Sequence, residues 1–232
     1  MVVGTLAFDM DGVLVEVSES YRATVVETVK HFSGETISRD LIQDYKNAGG
    51  WNNDWALTQR ILADLGHDVA YDTVVEEFNK IFFGHNGTPG LILREVWFDT
   101  VGILARLQQR FHMALFTGRY RYEADVTLAR FATGLTFDPI VCADNVTEQK
   151  PHPEGLLKIR DTYPNLPIWY LGDTIDDARS ASAAGVPFIG IVAPNHSRRD
   201  EILRLFQEEK AVAILDDITQ LVAPESPLAP YL

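Results

Sequence analysis

Cysteine is almost missing from this chain of 232 residues, in which Cys142 is the only one. A single thiol cannot form a disulfide within the chain, and this composition fits a reducing compartment. Cys142 ends a short apolar run, where a cysteine usually fills the core rather than acting as a nucleophile. The sequence therefore predicts neither a disulfide scaffold nor a cysteine enzyme.

Basic residues are also scarce. The sequence has 20 Lys and Arg residues against 33 Asp and Glu residues, which gives a formal net charge of −13, and it contains no basic run. This charge balance disfavours nucleic acids and anionic membrane surfaces as partners. An acidic protein that handles an anionic small molecule needs a local cation to hold it.

Long apolar stretches are absent as well. The longest clean run, VPFIGIVAP, is far shorter than the roughly 20 residues of a membrane-spanning helix. The amino-terminal segment lacks the basic region of a signal peptide, and Asp9 and Asp11 interrupt its first apolar run. We therefore expect a cytoplasmic protein.

What the sequence does contain is an alternation of short apolar runs with helix-like segments. Six runs rich in Val, Ile, Leu and Phe read as strands buried on both faces: TLAFD, MALFTG, PIVCA, IWYLGD, PFIGIVA and AVAIL. Between them lie the helix-like segments DTVGILARLQQRF, PEGLLKIRDTY and DDARSASAAG. This alternation predicts an α/β fold with a parallel sheet, in which ligands bind at the carboxyl ends of the strands.

One stretch, residues 16–93, breaks the alternation. It holds three helix-like segments, SYRATVVETVKHF, DWALTQRILADLG and DTVVEEFNKIFF, and no convincing strand. We predict an all-helical insert over 16–93, within a core made of residues 1–15 and 94–232. The Pro-rich segment VAPESPLAPYL lacks periodicity and predicts a loosely docked tail.

Polar residues follow four of the predicted strands. Each set has a plain structural explanation, such as a turn, a solvated charge or acids at a helix amino terminus. Their shared position at the carboxyl ends of parallel strands favours a common site instead. In chain order they are Asp9 and Asp11, then Thr117, Gly118 and Arg119, then Lys150, and finally Asp173, Asp176 and Asp177.

The ordered set DMDG, FTG, KPHP and GDTIDD resembles the motifs of haloacid dehalogenase superfamily hydrolases. The KPxP and GDxxxDxxxA forms are similar to the subgroup that includes phosphoglycolate phosphatase and β-phosphoglucomutase. In that subgroup a helical cap is inserted between the first two motifs. The resemblance implies an α/β, Rossmann-like doubly wound parallel sheet with an inserted all-helical cap domain at 16–93.

The resemblance also implies roles for the motif residues. Asp9 is the expected nucleophile, which forms an aspartyl-phosphate, and Asp11 is the expected acid and base for the leaving oxygen and the attacking water. Thr117, Gly118 and Lys150 are expected to hold the phosphoryl oxygens.

A count of charges explains why a metal is expected. The motifs bring four carboxylates to one site while one lysine offsets them, and such a cluster cannot hold a phosphate dianion unaided. Oxygen ligands favour a hard cation such as Mg²⁺. By the resemblance, Asp9, the backbone carbonyl of Asp11 and Asp173 bind the ion, while Asp177 acts through water or holds Lys150.

Two further sets of residues stay open between a functional and a structural role. Arg119 follows the Thr-Gly pair, where it reaches either the substrate or cap, or a surface acid. In the insert, the segment KNAGGWNNDW offers Trp51, Asn52 and Asn53 for substrate contact. The same Asn53 also suits a helix cap, and the tryptophans suit packing.

The sequence therefore favours a Mg²⁺-dependent phosphatase that acts on a small phosphorylated metabolite. Asp11 favours a phosphoester substrate, because by the resemblance the dehalogenase branch lacks an acid at this position. Two alternatives stay open: a phosphosugar mutase with the same nucleophile, and a non-catalytic binding protein on the same fold.

Overall fold

A computed structural model of the chain describes residues 1–232. The chain forms two compact units. The first consists of Met1–Val15 and Trp97–Leu232, and the second is the segment between them, Glu16–Val96. The second unit thus runs to residue 96, beyond the end at 93 that the sequence predicts for the insert.

Ten strands form three sheets. The main sheet has six strands in the order β10-β9-β8-β1-β6-β7, and two small sheets pair β2 with β5 and β3 with β4. All five pairings in the main sheet are parallel, as the sequence predicts. In chain order the strands are β1 (Gly4–Phe8), β2 (Val15–Glu16), β3 (Gly84–His85), β4 (Thr88–Pro89), β5 (Val96–Trp97), β6 (Phe111–Phe116), β7 (Ile140–Val141), β8 (Ile168–Gly172), β9 (Phe188–Ile191) and β10 (Ala213–Leu215).

Strand β1 lies inside the main sheet, between β6 and β8. The register pairs Phe8 with Leu115 of β6 and with Leu171 of β8. Every residue of β1 and of β8 is buried, which explains why their sequences are mostly apolar, because a strand covered on both faces has no solvent side. The residues that follow these three strands therefore emerge side by side at the carboxyl edge of the sheet.

Nine α-helices accompany the strands. Sequence signals mark both ends of α8: the Thr174 hydroxyl accepts the N–H of Asp177, and Gly185 ends the helix at a φ of 66°. In chain order the helices are α1 (Tyr21–Ser33), α2 (Arg39–Ala48), α3 (Asp54–Asp64), α4 (Tyr71–Phe83), α5 (Ile103–Leu107), α6 (Arg121–Phe131), α7 (Glu154–Thr162), α8 (Ile175–Ala184) and α9 (Arg199–Glu208).

Aromatic packing in the core fixes α7 against the main sheet. Phe116 and Tyr170 are fully or almost fully buried, and their ring centroids lie 5.7 Å apart. Gly155 of α7 approaches the Phe116 ring so closely that a Cβ there would lie 2.1 Å from it. This close contact sets the position of the start of α7, and with it the position of Lys150 in the turn before the helix.

The second unit contains four α-helices, one more than the sequence predicts. α1, α3 and α4 lie where the helix-like segments are, and α2 is additional. Ser38 caps α2 by accepting the N–H of Leu41, and the buried side chains of this helix are one apolar residue, Ile42, and the polar Gln43 and Asn47. A short helix that buries a single apolar side chain offers few apolar residues by which its sequence can be recognised.

The prediction of a loosely docked carboxyl-terminal tail is wrong. Leu228 is fully buried and Ser226 is nearly so. The ring of Tyr231 packs against that of Trp169, with centroids 4.9 Å apart. The prolines of the tail remove helical periodicity, but they do not prevent the burial of Leu228, which directly precedes the short 3₁₀ turn Ala229–Tyr231.

Replacing Leu228 with Ala is expected to lower the free energy of unfolding by about 2–5 kcal/mol, because the substitution leaves a cavity beneath the tail. Urea unfolding measures this change. Val212→Ala is the matched control, since Val212 is 53% exposed and its truncation should change stability by no more than about 0.5 kcal/mol. Equal unfolding midpoints for the two variants would show that the tail does not stabilise the fold.

Candidate active site

Three strands of the main sheet end in predicted site residues. Asp9 follows β1, Thr117 follows β6 and Asp173 follows β8. The N–H of Asp9 donates to the carbonyl of Leu171 at 2.7 Å, and the N–H of Thr117 donates to the carbonyl of Val141 at 3.0 Å. The backbone hydrogen bonds of the sheet therefore continue into the site and fix the residues that carry the side chains.

A buried lysine joins these strand ends. Lys150 is 4% exposed. Its Nζ donates to Asp9 Oδ1 at 2.9 Å, to Asp177 Oδ1 at 2.7 Å and to the Tyr170 hydroxyl at 3.0 Å. These three acceptors match the three N–H bonds of an ammonium group. A buried charge is tolerated when it is both paired and hydrogen-bonded, and Lys150 meets both conditions.

Tyr170 is a site residue that the sequence reasoning missed. Its hydroxyl lies 2.6 Å from Asp177 Oδ1 and 3.1 Å from the carbonyl oxygen of Phe116. The only sequence signal was a hydroxyl within the otherwise apolar run IWYLGD. Because an aromatic ring fits the apolar pattern of a buried strand, the hydroxyl of this tyrosine was not recognised as a polar group of the site.

Both oxygens of Asp177 accept hydrogen bonds from the protein. Oδ1 accepts from Lys150 and Tyr170, and Oδ2 accepts from the N–H of Thr174 at 3.0 Å and from its hydroxyl at 2.6 Å. Asp177 also lies in the first turn of α8, where the helix dipole favours negative charge. A Cβ on Gly172 would lie 2.4 Å from the Cβ of Asp177, so a glycine is needed there. Asp177 therefore holds Lys150 in place.

Asp173 lies against the glycine of the DMDG segment. Gly12 has a φ of 74°, and a Cβ at this position would lie 2.0 Å from Asp173 Oδ2. A side chain at position 12 would thus strain the backbone and displace the carboxylate. Carboxylate oxygens of Asp9, Asp173 and Asp177 lie within 4.8 Å of one another, so residues from distant parts of the chain form one acidic cluster.

The environment separates the pKa values of the two carboxylates that share Lys150. Burial raises the pKa of Asp9 well above its ordinary value, the charge of Lys150 opposes this rise, and the neighbouring carboxylates add to it. Burial acts on Asp177 too, but the charge and hydrogen bond of Lys150, with those of Thr174 and Tyr170, lower its pKa. Negative charge is therefore well accommodated on Asp177 and costly on Asp9.

Lys150 itself remains charged. Burial alone would lower the pKa of this ammonium group, but the ion pairs with Asp177 and Asp9 outweigh burial and raise the pKa above its ordinary value. The site therefore contains a permanent cation at its centre.

Arg119 adopts an arrangement that the sequence did not indicate. Its side chain is 1% exposed, so it is not paired with a surface acid. Nε and Nη2 donate to Asp11 Oδ1 at 2.8 and 2.6 Å, and Nη1 donates to the Thr127 hydroxyl at 2.7 Å. The Asp11 side chain is 29% exposed, so the carboxylate has an open side and the guanidinium lies behind it.

The remaining predicted residues of the first unit lie close in sequence to this cluster. The hydroxyl of Thr117 accepts the N–H of Arg119 at 3.2 Å, and Gly118 between them is partly exposed. Asp176 is buried in the first turn of α8, where the helix dipole favours an acid.

The three candidate contact residues of the insert lie in the second unit. Asn53 caps α3, because its Oδ1 accepts two N–H groups of the first turn at 3.0 and 3.1 Å. The ring of Trp51 packs edge-on against that of Tyr45 at 5.8 Å. Asn52 keeps a buried Nδ2 group without a hydrogen-bond partner. Substrate contact by these residues stays a prediction.

The acidic cluster fits a hard divalent cation. Its donors are carboxylate oxygens, which such ions prefer, and Gly12 leaves room beside Asp173 that a side chain would fill. The oxygens of Asp177 already accept protein hydrogen bonds. Asp9 and Asp173, with the predicted carbonyl of Asp11, are therefore the groups that suit direct contact with a metal.

The formal charge of the site also fits a divalent ion. Four carboxylates face two cations, since Arg119 joins Lys150, which leaves a formal charge of −2. A bound divalent cation would neutralise this excess.

Comparison with known proteins places the motifs in a family. The sequence profile of haloacid dehalogenase-like hydrolases matches residues 6–191. The chain belongs to this family. The match includes all four motifs, from DMDG to GDTIDD, and confirms the family and the hydrolase class that the sequence predicts.

Sequence relatives of this hydrolase include proteins with different names. An imidazoleglycerol-phosphate dehydratase from Phytophthora nicotianae is 32% identical over 203 residues, which cover 83% of this chain and 44% of that protein. The chain thus spans less than half the length of that relative. A phosphoglycolate phosphatase from Colwellia psychrerythraea is 24% identical over 192 residues, which cover 80% of this chain and 83% of that protein.

The fold of this hydrolase has solved counterparts. A haloacid dehalogenase-like hydrolase from Bacteroides fragilis superimposes with a TM-score of 0.74 over 94% of this chain and 99% of that one, at 23% identity. This likeness confirms the predicted α/β fold. Every helix of this hydrolase falls short of the length and apolar character that crossing a membrane requires.

Asp9→Asn is expected to stabilise the metal-free protein at neutral pH. The folded-state pKa of Asp9 is raised above the ordinary value of 3.8, so the carboxyl favours folding when protonated, and that contribution is lost as the pH rises through the folded pKa. A neutral amide avoids the loss. Urea unfolding in EDTA should show a gain that is small at pH 4.5 and reaches about 1 kcal/mol or more at pH 8.

Asp161→Asn is the matched control for this measurement, because Asp161 is an exposed residue of α7 and its substitution should give no such trend. An Asp9→Asn variant that is less stable than the wild type at every pH would show that the ion pair with Lys150 outweighs the burial of Asp9.

Proposed function

We propose that this hydrolase is a Mg²⁺-dependent phosphatase that acts on a small phosphorylated metabolite through an aspartyl-phosphate at Asp9. One observation carries the proposal. Asp9 is buried at the carboxyl edge of the sheet, its Oδ1 accepts a hydrogen bond from Lys150 at 2.9 Å, and its oxygens lie near those of Asp173. Its raised pKa marks a carboxylate whose charge the protein satisfies poorly, which is typical of groups that react or bind ions.

The proposed chemistry has two steps. First, an Asp9 oxygen forms a bond to phosphorus, the bond between phosphorus and the leaving oxygen breaks, and Asp11 gives a proton to that oxygen. Water then forms a bond to phosphorus, its proton passes to Asp11, and the bond to Asp9 breaks. Asp11 suits this role because its carboxylate is partly exposed on the open side of the site.

Lys150 would first attract the phosphoryl group through its positive charge, and only later donate a hydrogen bond to it. All three of its N–H bonds already have acceptors in the protein. Once an Asp9 oxygen is bonded to phosphorus, that carboxylate loses its negative charge, and an N–H of Lys150 becomes available to a phosphoryl oxygen. Thr117 and Gly118 are the further groups that we propose for the phosphoryl oxygens.

The metal that we propose is Mg²⁺, held by Asp9, Asp173 and the backbone carbonyl of Asp11. When bound, it would supply positive charge to the phosphoryl oxygens. Asp177 would stay with Lys150, because both of its oxygens accept hydrogen bonds from the protein.

The names of two relatives suggest which esters to test. One is named for phosphoglycolate, and another for an imidazole-bearing phosphate ester. The test is a panel that contains both kinds of ester, phosphosugars and an aryl phosphate, each with Mg²⁺ and with EDTA. Phosphate release that requires Mg²⁺ supports the proposal. The absence of release from every ester in both conditions contradicts it.

Asp9→Asn is expected to lower phosphate release by more than about 10³-fold, because the amide lacks the nucleophilic oxygen. A phosphate assay on the best panel substrate measures the loss, with Asp161→Asn as the active control. The unfolding measurement above shows in parallel that the variant is folded. Turnover by Asp9→Asn at the wild-type rate would remove Asp9 from the nucleophile role.

Phosphate release should equal substrate loss at every time point. A phosphosugar mutase with the same nucleophile would instead return the phosphoryl group to the sugar, so that substrate disappears while an isomeric phosphate ester accumulates. Phosphorus NMR distinguishes the two outcomes in one sample, and an isomeric ester in place of free phosphate would replace the phosphatase assignment with the mutase.

A further inference from the structure

The guanidinium of Arg119 binds one oxygen of Asp11 through two donors. Nε and Nη2 both donate to Oδ1, at 2.8 and 2.6 Å. Two donors on a planar group that converge on one oxygen fix the position of that oxygen relative to the guanidinium. Oδ2 is then the oxygen of Asp11 that these two donors do not hold.

Arg119 is itself held in position from several directions. Nη1 donates to the hydroxyl of the buried Thr127 on α6 at 2.7 Å. In the backbone, the carbonyl of Arg119 accepts the N–H of Ala143 at 2.9 Å, and its N–H donates to the Thr117 hydroxyl. The side chain therefore spans from the end of β6 to the loop after β1 with little freedom to move.

We propose that Arg119 is a positioning residue that holds Asp11 by Oδ1, so that Oδ2 is the oxygen that transfers protons in the reaction. This inference rests on the proposed phosphatase function. It gives Arg119 a role other than the substrate contact or surface pair that the sequence indicated. A side chain that is 1% exposed acts on the reaction through Asp11, because it has almost no surface for a substrate to touch.

The burial of this pair supports a specific role. An exposed ion pair is worth little, since water and side-chain entropy offset it, whereas a buried guanidinium carries a large desolvation cost. Here the cation is buried and its partner is partly exposed. Such a pair leaves the carboxylate accessible while one of its oxygens is held in place, an arrangement that suits a proton donor.

A positioning role makes a prediction about the leaving group. A nitrophenolate leaves phosphorus without a proton, whereas an alkoxide needs one from Asp11. The value of kcat/KM reports the first irreversible step, in which the leaving group departs. Loss of Arg119 should therefore lower kcat/KM much more for an alkyl phosphate than for p-nitrophenyl phosphate. A merely structural role would lower both values by the same factor.

The experiment compares the two esters in Arg119→Met, which removes the N–H donors and keeps the packing volume similar. We expect the ratio of alkyl to aryl kcat/KM to fall by about 10²-fold, the contribution of one proton donor. The same ratio should also fall in Arg119→Lys, because an ammonium group cannot reproduce the two-donor contact. Arg121→Met is the matched control, since Arg121 pairs with Asp125 on an exposed surface, and its ratio should not change.

Two further variants keep the inference testable. In an Asp11→Asn background, Arg119→Met should change the ratio no further, because the residue acts through Asp11. Thr127→Val removes the hydroxyl that accepts a hydrogen bond from Arg119, and it should lower the ratio by a smaller factor. This variant tests the role of Arg119 if Arg119→Met does not fold.

Equal losses on both esters, or an unchanged ratio in folded Arg119→Met, would overturn the role of Arg119 and leave the phosphatase proposal standing. A wild-type protein that releases no phosphate from either ester would overturn the proposed function, and the inference with it.

Discussion

One buried ammonium group holds the site together. Lys150 lies 2.9 Å from Asp9 Oδ1 and 2.7 Å from Asp177 Oδ1, so loss of the ammonium group would leave two buried carboxylates without their cation. The two carboxylates are not equally stabilised, because Thr174 and Tyr170 also donate hydrogen bonds to Asp177. Asp9 is therefore the carboxylate whose charge is costly. A cation bound to Asp9, or a covalent bond formed by its carboxylate, would relieve this cost.

The sequence predicts those site residues whose position follows from a single strand. Asp9, Thr117 and Asp173 each come directly after an apolar run, and the parallel sheet brings the ends of such runs together. The contact between Arg119 and Asp11 joins residues 108 positions apart. Which acid a buried arginine binds depends on side-chain packing across the sheet, and no local pattern records it. Tyr170 was hidden for a different reason, because its ring fits an apolar strand.

The strands and helices can likewise be divided into those that a local sequence pattern predicts and those that depend on packing. All six strands of the main sheet were visible as apolar runs, and the signal is clearest for β1, β8 and β9, which are buried along their whole length. Helix α2 was missed because polar Gln43 and Asn47 occupy its buried face. The predicted helix before β6 is reduced to α5, since Gly102 adopts a φ of 76° ahead of it. The tail is buried at Leu228, although its prolines leave no period to detect.

The most direct test of the account is chemical capture of the phosphorylated residue. Protein that is turning over its best substrate with Mg²⁺ is quenched rapidly and treated with borohydride, which reduces an acyl phosphate to an alcohol. Peptide mass spectrometry then locates the change. The account predicts that the side chain of Asp9 becomes that of homoserine, and that neither Asp11 nor Asp173 is altered. Reduction at another aspartate, or an unmodified Asp9 in protein that is releasing phosphate, would contradict it.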